Sequence, residues 1–486
     1  MTTEAIPEST LPRYHAAIDW HQFARDYPLP DVFEQTTYKW PRERLRKLQN
    51  ERFLETVAAG WKHPFYSKHW RRAGLEPGDI RSLDDLSKIP AYTSDEVSQD
   101  QVAHPPFGDF NNVEPAMGRM PLKLLTSGGT TGKPRALLSG PIDWLTLTLG
   151  GARSFYINGA RPGDVMQIPL TCSLATLGWG AHDGCREYMG ILPITTGTGV
   201  VTPTRRQLEI AFDYGTNIWY SFPEYLGHLA RVARDEIGRD VRELKTKLIA
   251  TFLGPDLDGT LRRELEEQWG CPVYDRYGTH EFGLGGFECR EKNGLHWMED
   301  LNIFQICDVE TGAELSAGQA GTLVVTSLVR RQPPIIRYNV RDLARVKHED
   351  VCGCGSAFHR IDHFLGRADS MIKLRGVNVY PMACTPAIKS DPRTTDGWIC
   401  IIEEVIEKGV KRDEMTAHVE VRSGAVRDGL QAHLEKRLRE DLGVSVPVKL
   451  VDEGSLREIA NIGGEGKPRR LLDKRPKVKL NTARPE

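Results

Sequence analysis

The segment at residues 124–135, LLTSGGTTGKPR, combines residue types that suit the binding of a phosphate chain. An apolar stretch leads into the loop residues Ser127, Gly128, Gly129, Thr130, Thr131, Gly132 and Lys133. Glycines let backbone N–H groups converge on an anion, and the hydroxyls and the lysine add donors. A Walker A loop is excluded, because that motif needs glycine in place of Ser127 and serine or threonine in place of Pro134. We therefore predict a polyphosphate site, with a flexible surface loop as the alternative.

A second set of residues has the types of a metal site. Its four candidate ligands form two short arms that lie far apart in the chain: Cys289, His296, Cys352 and Cys354. Three sulfurs and one imidazole suit a closed, tetrahedral Zn²⁺ site, which is structural because it leaves no open position for water. His348 or His359 could replace His296 as the fourth ligand. The alternative is that the four residues are unrelated and that His296 is simply buried beside Trp297.

The composition limits the classes of protein that this chain can belong to. Its 486 residues correspond to about three structural units at about 150 residues each. Lys and Arg number 64 and Asp and Glu number 66, so the net charge of −2 argues against nucleic-acid or membrane-surface binding through bulk charge. With 40% hydrophobic and 27% charged residues the chain is globular rather than disordered, collagen-like or coiled coil.

The sequence predicts a cytoplasmic protein. It has no apolar run of about 18 residues, so no membrane span is expected. The first residues, MTTEAIPEST, have neither the basic nor the apolar region of a secretory signal. Nine cysteines, an odd number, indicate thiols or a metal site in a reducing compartment rather than disulfides.

The hydrophobic pattern predicts a large α/β region followed by a small α+β region. Helical spacing at residues 46–75 precedes an alternation of helical and strand-like segments between residues 118 and 345, which indicates an α/β sheet with helical crossovers. The glycine cluster GLGGFE at residue 283 does not open a helix after a strand, so no dinucleotide site is predicted. After Gly366 the pattern becomes a hairpin, alternating strands and a helix from Val426 to Leu442 that ends at Gly443. We expect a partly ordered lead-in at 1–45, a large domain at 46–367 and a small domain at 368–486.

Five segments, in order, resemble the motifs of the adenylate-forming acyl-CoA synthetase and ligase superfamily. They are LLTSGGTTGKPR, VYDRYGTHEFG, PPIIRYNVRDLARV, FLGRADSMIKLRGVNVYP and GEGKPRRLLD. The finer pattern is similar to the phenylacetate–CoA ligase subfamily, in the segments PFYSKHWRRAGLEPGDIRSLDDLSKIP, WGAHDG, FECREKNGLHWMED and VCGCG. The resemblance implies a large N-terminal domain of α/β subdomains and a small mobile α+β C-terminal domain. Some members of the subfamily also carry a zinc site like the one predicted here, which would connect the loop after Glu281 to the loop after Asp342.

The resemblance also implies a reaction and its cofactors. Family members join a carboxylate to AMP, release pyrophosphate and pass the acyl group to a thiol, so ATP, Mg²⁺ and CoA are expected. An anionic carboxylate must approach a polyanionic phosphate, and the site must offset the repulsion with cations. The implied catalytic residues are Lys467, Glu281 as the Mg²⁺ ligand, and Thr131 and Lys133 at the β- and γ-phosphates together with Thr130. The implied nucleotide site adds Ser127, Gly128, Gly129, Gly132, Gly254, Pro255, Asp256, Tyr277 near the adenine, Gly278, Thr279, Asp342 at the ribose, and Arg367.

Two residues of the C-terminal region take their roles from the same resemblance. Lys467 would bridge the attacking carboxylate and the α-phosphate, where a compact ammonium suits a point charge between two anions. The alternative for Lys467 is a solvated lysine of a basic tail. Asp369 matches the hinge about which the small domain rotates between the two half-reactions, and the alternative is a plain hairpin residue.

The acid-binding pocket follows from the resemblance with less detail. It should involve Trp179, Gly180, Ala181, His182, Phe222, Pro223 and His280. Aromatic side chains near the end of a strand could enclose a flat ring, so we expect an aromatic or arylacetic acid. Three places depart from the family pattern: His280 stands where serine or threonine is usual, Val340 and Arg341 replace the usual Thr-Gly, and Gly128 replaces a second serine.

Two other functions remain open from the sequence. The chain could pass its acyl group to a carrier-protein thiol or another nucleophile, or it could be a non-catalytic nucleotide-binding relative. The presence of Glu281, Asp342 and Lys467 favours an enzyme. The expected partners are a small carboxylic acid, ATP and CoA, with no nucleic acid and no membrane, and the subfamily often forms homodimers. The acid, the final acceptor, the pathway and the oligomeric state do not follow from the sequence.

Overall fold

The computed structural model describes residues 18–114, 116–127, 134–254, 256, 259–368, 372–374, 377–407, 410–462 and 469–475. The chain divides into two compact units. The first comprises Met1–Leu253 and Leu261–His363, and the second comprises Gly254–Thr260 and Phe364–Glu486. None of the described helices has both the length and the apolar character that crossing a bilayer requires.

Helices and strands alternate through the first unit, and the last two of the helices named next belong to the second unit. The helices are α1 (Trp20–Asp26), α2 (Pro30–Gln35), α3 (Arg42–Trp61), α4 (Pro64–Arg72), α5 (Ser94–Ala103), α6 (Gly108–Asn111), α7 (Pro141–Ile157), α8 (Thr176–Met189), α9 (Thr204–Tyr214), α10 (Pro223–Val232), α11 (Thr260–Trp269), α12 (Thr385–Lys389) and α13 (Leu430–Leu442). The strands of the first unit are β1 (Tyr92–Thr93), β2 (Lys123–Ser127), β3 (Arg135–Ser139), β4 (Val165–Gln167), β5 (Leu192–Ile194), β6 (Ile218–Tyr220), β7 (Leu248–Thr251), β8 (Val273–Thr279), β9 (Gly283–Phe287), β10 (Leu295–Trp297), β11 (Asn302–Cys307), β12 (Ala320–Ser327), β13 (Tyr338–His348) and β14 (Arg360–Ile361). Those of the second are β15 (Gly366–Arg367), β16 (Ile372–Leu374), β17 (Val377–Val379), β18 (Thr394–Glu407), β19 (Val410–Val421), β20 (Val448–Asp452) and β21 (Leu471–Asp473).

The described part of the N-terminal segment contains helices that the sequence pattern does not indicate. From residue 20 onward the expected lead-in consists of α1, α2 and a short 3₁₀ turn, and it buries Phe23, Phe33 and Tyr38. These elements are too short to show a helical period, which is why the pattern missed them. The helical stretch predicted at residues 46–75 is divided into α3 and α4, because Pro64 occupies the first turn of a new helix.

The main sheet of the first unit has a parallel part and an antiparallel part. Strands β5, β4, β6, β7 and β8 are neighbours in that order and run parallel. The sheet continues through β9, β10, β14, β13, β12 and β11 with antiparallel pairing, and β1 pairs with β13. The parallel strands are buried on both faces, since Ile218 and Tyr220 pack in one apolar cluster and Trp219 in another. This doubly covered sheet confirms the predicted α/β class.

The glycine cluster at residue 283 forms strand β9. It does not begin a helix, which agrees with the prediction. Gly283 has a φ of 71°, and a Cβ there would lie 2.6 Å from Cγ of Leu147 on α7. A side chain at this position would therefore be both strained and too close to a helix. The glycine serves the turn that follows β8, where Glu281 lies.

The second unit is a small α+β domain, as predicted. Its sheet has the order β20-β19-β18-β21, with β18 and β19 antiparallel and the two outer pairs parallel. Helix α13 places Leu430, Leu434 and Leu438 in a core that also contains Trp398. The helix begins at Leu430, after Gly429, and not at Val426 as predicted. Val426 is 69% exposed, so its match to the four-residue period is a coincidence of spacing.

Candidate active site

Two paired strands hold the ends of the predicted phosphate loop. Strands β2 and β3 pair antiparallel, and Ser127 lies opposite Arg135 at the end of the ladder. The strand pair is attached to the neighbouring segment, because the N–H of Thr126 donates to the carbonyl of Leu174 at 2.9 Å. The remaining loop residues, Gly128, Gly129, Thr130, Thr131, Gly132 and Lys133, lie outside the described residues.

Glu281, the predicted magnesium ligand, lies in the turn between β8 and β9 and is buried. Arg135 Nη2 donates to its Oε1 at 2.8 Å, and the hydroxyl of Tyr338 donates to the same oxygen at 3.0 Å. Burial raises the pKa of Glu281, but the charge of Arg135, then His280 and a hydrogen bond from Thr279, outweigh it, so the pKa lies below its ordinary value. The carboxylate is therefore an anion, and anionic oxygens are the ligands that Mg²⁺ prefers.

Asp342, the predicted ribose ligand, lies on β13 and contacts the end of β8. The hydroxyl of Tyr277 donates to Oδ2 of Asp342 at 2.6 Å, and both residues are buried. Each predicted carboxylate thus accepts a hydrogen bond from a tyrosine on the strand that carries the other carboxylate. Tyr277 and Asp342 were predicted to serve one nucleotide, and the structure brings them into contact. Gly278 and Thr279 complete the end of β8, where the pairing with β9 shifts register after Tyr277.

The backbone beside Asp342 is bulged. The pairing of β13 with β12 is interrupted at residues 340–342, and Arg341 has a φ of 63°. Its N–H donates to Oδ1 of Asn339 at 2.9 Å, and its side chain lies 2.8 Å from a carboxylate oxygen of Asp95. The left-handed conformation is one that glycine adopts without strain, which explains the glycine of the family motif. Arg341 therefore departs from the motif in sequence while keeping a backbone conformation that suits glycine.

The predicted acid pocket groups around the start of α8. Nδ1 of His280 lies 2.9 Å from Oγ1 of Thr176, the first residue of this helix. The ring of Trp179 meets the ring of His182 edge-on at 5.8 Å, and its Nε1 donates to the carbonyl of Ser173. Contact with Thr176 places His280 beside the helix that carries Trp179, Gly180, Ala181 and His182.

Other predicted pocket residues contribute to the core. Ala181 is 5% exposed and belongs to an apolar cluster against which Phe222 also packs. Phe222 precedes α10, whose first residue is the buried Pro223, and its ring lies 5.8 Å from that of Phe252. Gly180 is buried, and a Cβ there would meet Cδ2 of Leu147 at 3.6 Å, an ordinary contact. The structure therefore places these residues at the carboxyl end of β6 and on the adjacent helix, where open α/β sheets bind ligands.

The remaining predicted residues fall elsewhere. Pro255, Asp369 and Lys467 lie outside the described residues. Gly254 and Asp256 form a turn in which the Asp256 N–H donates to the Gly254 carbonyl at 2.9 Å, and Arg367 lies on β15. These three belong to the second unit.

The predicted metal ligands are brought together. One ligand atom from each of Cys289, His296, Cys352 and Cys354 lies within 4.8 Å of the others. The sulfurs of Cys289 and Cys352 are 3.8 Å apart, and Cys354 Sγ lies 3.5 Å from His296 Nε2. For Zn–S bonds of about 2.3 Å and Zn–N bonds of about 2.0 Å, the edges of a tetrahedron are about 3.8 Å and about 3.5 Å. The four donors therefore fit a tetrahedral zinc ion, with His296 rather than His348 or His359 in the cluster.

Tyr38 adds a contact to this cluster that the sequence did not reveal. Its hydroxyl lies 3.2 Å from Sγ of Cys354, and its ring meets that of His296 at 5.6 Å. A hydrogen bond from Cys289, and then His296 and Tyr38, lower the pKa of the Cys354 thiol, while the same hydrogen bond raises the pKa of Cys289. A thiolate is the form that binds zinc, so these contacts favour the ligating state of Cys354. Tyr38 lies in the segment predicted as a lead-in, where no motif marks it.

Comparisons with known proteins agree with this architecture. The family described as AMP-binding enzyme C-terminal domain matches residues 376–475. A phenylacetate–coenzyme A ligase of Thermus thermophilus is 30% identical over 458 residues, covering 90% of this chain and 98% of the relative, and one of Pseudomonas putida is 31% identical, covering 89% and 94%. The crystal structure of 2-hydroxyisobutyryl-CoA ligase with an acyl-AMP superposes with a TM-score of 0.77 at 26% identity, covering 90% of this chain and 91% of the other.

These matches, together with the fold and the site, define an adenylate-forming enzyme of the acid–thiol ligase class. Within it, the chain belongs to the phenylacetate–CoA ligase-like family, since it matches members along nearly their full length.

The left-handed Arg341 leads to a test of the backbone beside Asp342. Arg341→Gly and Arg341→Ala both remove the ion pair with Asp95, so their difference reports the backbone alone. The glycine variant should be more stable by about 1 kcal/mol, because a left-handed non-glycine residue costs about that amount. Chemical denaturation measures both free energies of unfolding. If residue 341 had a negative φ, the alanine variant would instead be the more stable one by roughly 0.5–1 kcal/mol. That result would contradict the left-handed bulge.

Proposed function

We propose that this AMP-forming acid–CoA ligase activates an aromatic or arylacetic acid with ATP and Mg²⁺, through an acyl-adenylate. The observation that supports the proposal is the pair of buried carboxylates, Glu281 in the turn after β8 and Asp342 within β13. Glu281 would hold Mg²⁺, and Asp342 would accept hydrogen bonds from the ribose. The contact between Asp342 and Tyr277 would join the ribose ligand to the residue expected beside the adenine.

Electrostatic repulsion is the main obstacle to the first half-reaction. The acid and the α-phosphate are both anionic, so cationic groups must lie between or around them. When bound, Mg²⁺ would neutralise phosphate charge as a Lewis acid. Lys133 and the hydroxyls of Thr130 and Thr131 would hold the β- and γ-phosphates, and Ser127 would stand at the base of that loop. Lys467 would bridge the acid and the α-phosphate, and Arg367 would reach the ribose or phosphate.

Support for an aromatic acid comes from the relatives and from the residues near α8. Both reported sequence relatives carry the name phenylacetate–coenzyme A ligase. Trp179, Phe222 and His280 would supply ring faces and a polar contact at the pocket. A small hydroxy acid is the second candidate, because the reported structural neighbour is a 2-hydroxyisobutyryl-CoA ligase. His280, which is hydrogen-bonded to Thr176, would be the residue that contacts a hydroxyl on such an acid.

The same proposal assigns a structural zinc ion to Cys289, His296, Cys352 and Cys354. The donor distances fit a tetrahedron with no position left for a substrate. The ligands lie after β9, on β10 and in the loop between β13 and β14. Zinc would therefore connect the strands that separate the Glu281 turn from the Asp342 strand.

An acid screen tests the function. The purified chain, with ATP and Mg²⁺, should form AMP and pyrophosphate only when a suitable acid is present. The screen includes phenylacetate, benzoate and 2-hydroxyisobutyrate, each with and without CoA, with the thioester identified by mass. A product of the expected mass with an aromatic acid supports the proposal. Turnover with 2-hydroxyisobutyrate alone would favour the hydroxy acid. Adenylation without formation of a CoA thioester would indicate another acceptor. The absence of acid-dependent turnover with every acid would contradict the proposed ligase activity.

Lys467→Ala should lower acid-dependent pyrophosphate release by about 10²–10³-fold, because it removes one charge from the reacting centre. Binding of ATP, measured by calorimetry, should persist, since the lysine acts on the transferred group. Lys474→Ala is the matched control: it lies in the same basic stretch but pairs with Glu403 at 2.8 Å. Equal rates of pyrophosphate release in the two variants would remove Lys467 from the mechanism.

Metal analysis checks the zinc site. Protein purified without chelator should contain about one zinc ion per chain. Cys289→Ser should lose the metal and melt at a lower temperature, since it removes a ligand. Cys271→Ser removes a buried cysteine outside the cluster and should retain the metal. A wild-type zinc content far below one per chain, or equal zinc in both variants, would rule out the site.

A further inference from the structure

Two donors from separate strands meet on one oxygen of Glu281. Arg135 on β3 lies 2.8 Å from Oε1, and the Tyr338 hydroxyl on β13 lies 3.0 Å from the same oxygen. Neither residue is among those that the sequence assigned to the site. Because the two donors come from different strands and reach the same atom, they fix the rotation of the carboxylate group. They also stabilise its negative charge.

Tyr338 is itself held firmly. Its ring lies 5.4 Å from that of Tyr92, its partner in the pairing of β1 with β13. The hydroxyl of Tyr92 lies 2.8 Å from that of Tyr66, which donates to the carbonyl of Pro334 at 2.7 Å. The packing of the two rings, which does not need the Tyr92 hydroxyl, limits the movement of Tyr338. Its hydroxyl can therefore act as a fixed point for Glu281.

We propose that Tyr338 and Arg135 are positioning residues that orient Glu281 toward the divalent cation of the bound nucleotide. The inference rests on the proposed role of Glu281 as a ligand of that cation. A carboxylate has about four lone-pair sites, so two donors on one oxygen leave capacity for a metal. Partners of this kind commonly change metal affinity or activity by about 10- to 100-fold when they are removed. The phenol would matter through orientation, since it carries no charge.

The test measures metal binding directly, with Mn²⁺ in place of Mg²⁺. The full-length enzyme is saturated with α,β-methylene-ATP, which cannot be cleaved at the reacting bond, and bound Mn²⁺ is titrated by electron paramagnetic resonance. Tyr338→Phe keeps the ring and removes the hydroxyl, and we expect it to raise the Kd of Mn²⁺ about 10-fold. Glu281→Gln should raise the Kd at least as much. In the double variant Tyr338→Phe should add nothing, because its effect passes through Glu281.

Two further variants separate orientation from general damage. Tyr92→Phe makes the same change in the neighbouring ring, loses a hydrogen bond to Tyr66 and should leave the Kd of Mn²⁺ unchanged. Arg135→Lys keeps the charge but not the planar guanidinium, and it should weaken Mn²⁺ binding several-fold. Thermal melting of each variant verifies that it is folded before titration.

The inference fails if Tyr338→Phe binds Mn²⁺ as tightly as Tyr92→Phe does. It also fails if Tyr338→Phe still weakens binding in the Glu281→Gln background, because the hydroxyl would then act by another route. These outcomes are separate from failure of the proposed function. A wild-type chain that binds Mn²⁺ and nucleotide but forms no pyrophosphate with any acid would refute the ligase activity and leave the positioning result standing.

Discussion

Two buried carboxyl groups, one in the turn after β8 and one within β13, must find partners on strands that are not neighbours in the sheet. A buried charge is expensive unless it is paired and hydrogen-bonded. Here the compensation is crossed: Tyr338 on β13 donates to Glu281 after β8, and Tyr277 on β8 donates to Asp342 on β13. Arg135 adds the one positive charge in direct contact with Glu281 among the described residues. The position of each carboxylate therefore depends on the strand that carries the other.

Three strands and the cluster of predicted metal ligands connect β8 to β13. Strands β9, β10 and β14 lie between β8 and β13 in the sheet. The cluster of Cys289, His296, Cys352 and Cys354 draws its donors from the ends of those intervening strands and the loop before β14. A metal there would fix the separation of the two carboxylates without touching a substrate. Tyr38 extends the same connection to the N-terminal segment.

The sequence indicated the charged groups and the periodic elements better than the residues that contact and position them. Glu281 and Asp342 stand in ordered motifs, and the parallel strands are continuous apolar runs, so both could be recognised. Arg135 and Tyr338 lie in the same motifs, but their contact joins residues 146 and 57 positions apart from Glu281, and no spacing rule reaches that far. Tyr38 lies in short elements without a period. Val426 shows the opposite error, a periodic residue that tertiary structure leaves exposed.

The departures from the family pattern are informative for a related reason. At Arg341 the motif changes from glycine to a long charged residue, yet the backbone keeps the left-handed conformation and the bulge beside Asp342. The constraint is thus on the direction in which the next carboxylate points, and glycine is only the residue that meets it most easily. At His280 the backbone has no such demand, and the imidazole contacts Thr176 at the start of α8. A change there alters the polar surface beside α8, whereas a change at residue 341 affects the backbone bulge beside Asp342. The two departures therefore affect different parts of the first unit.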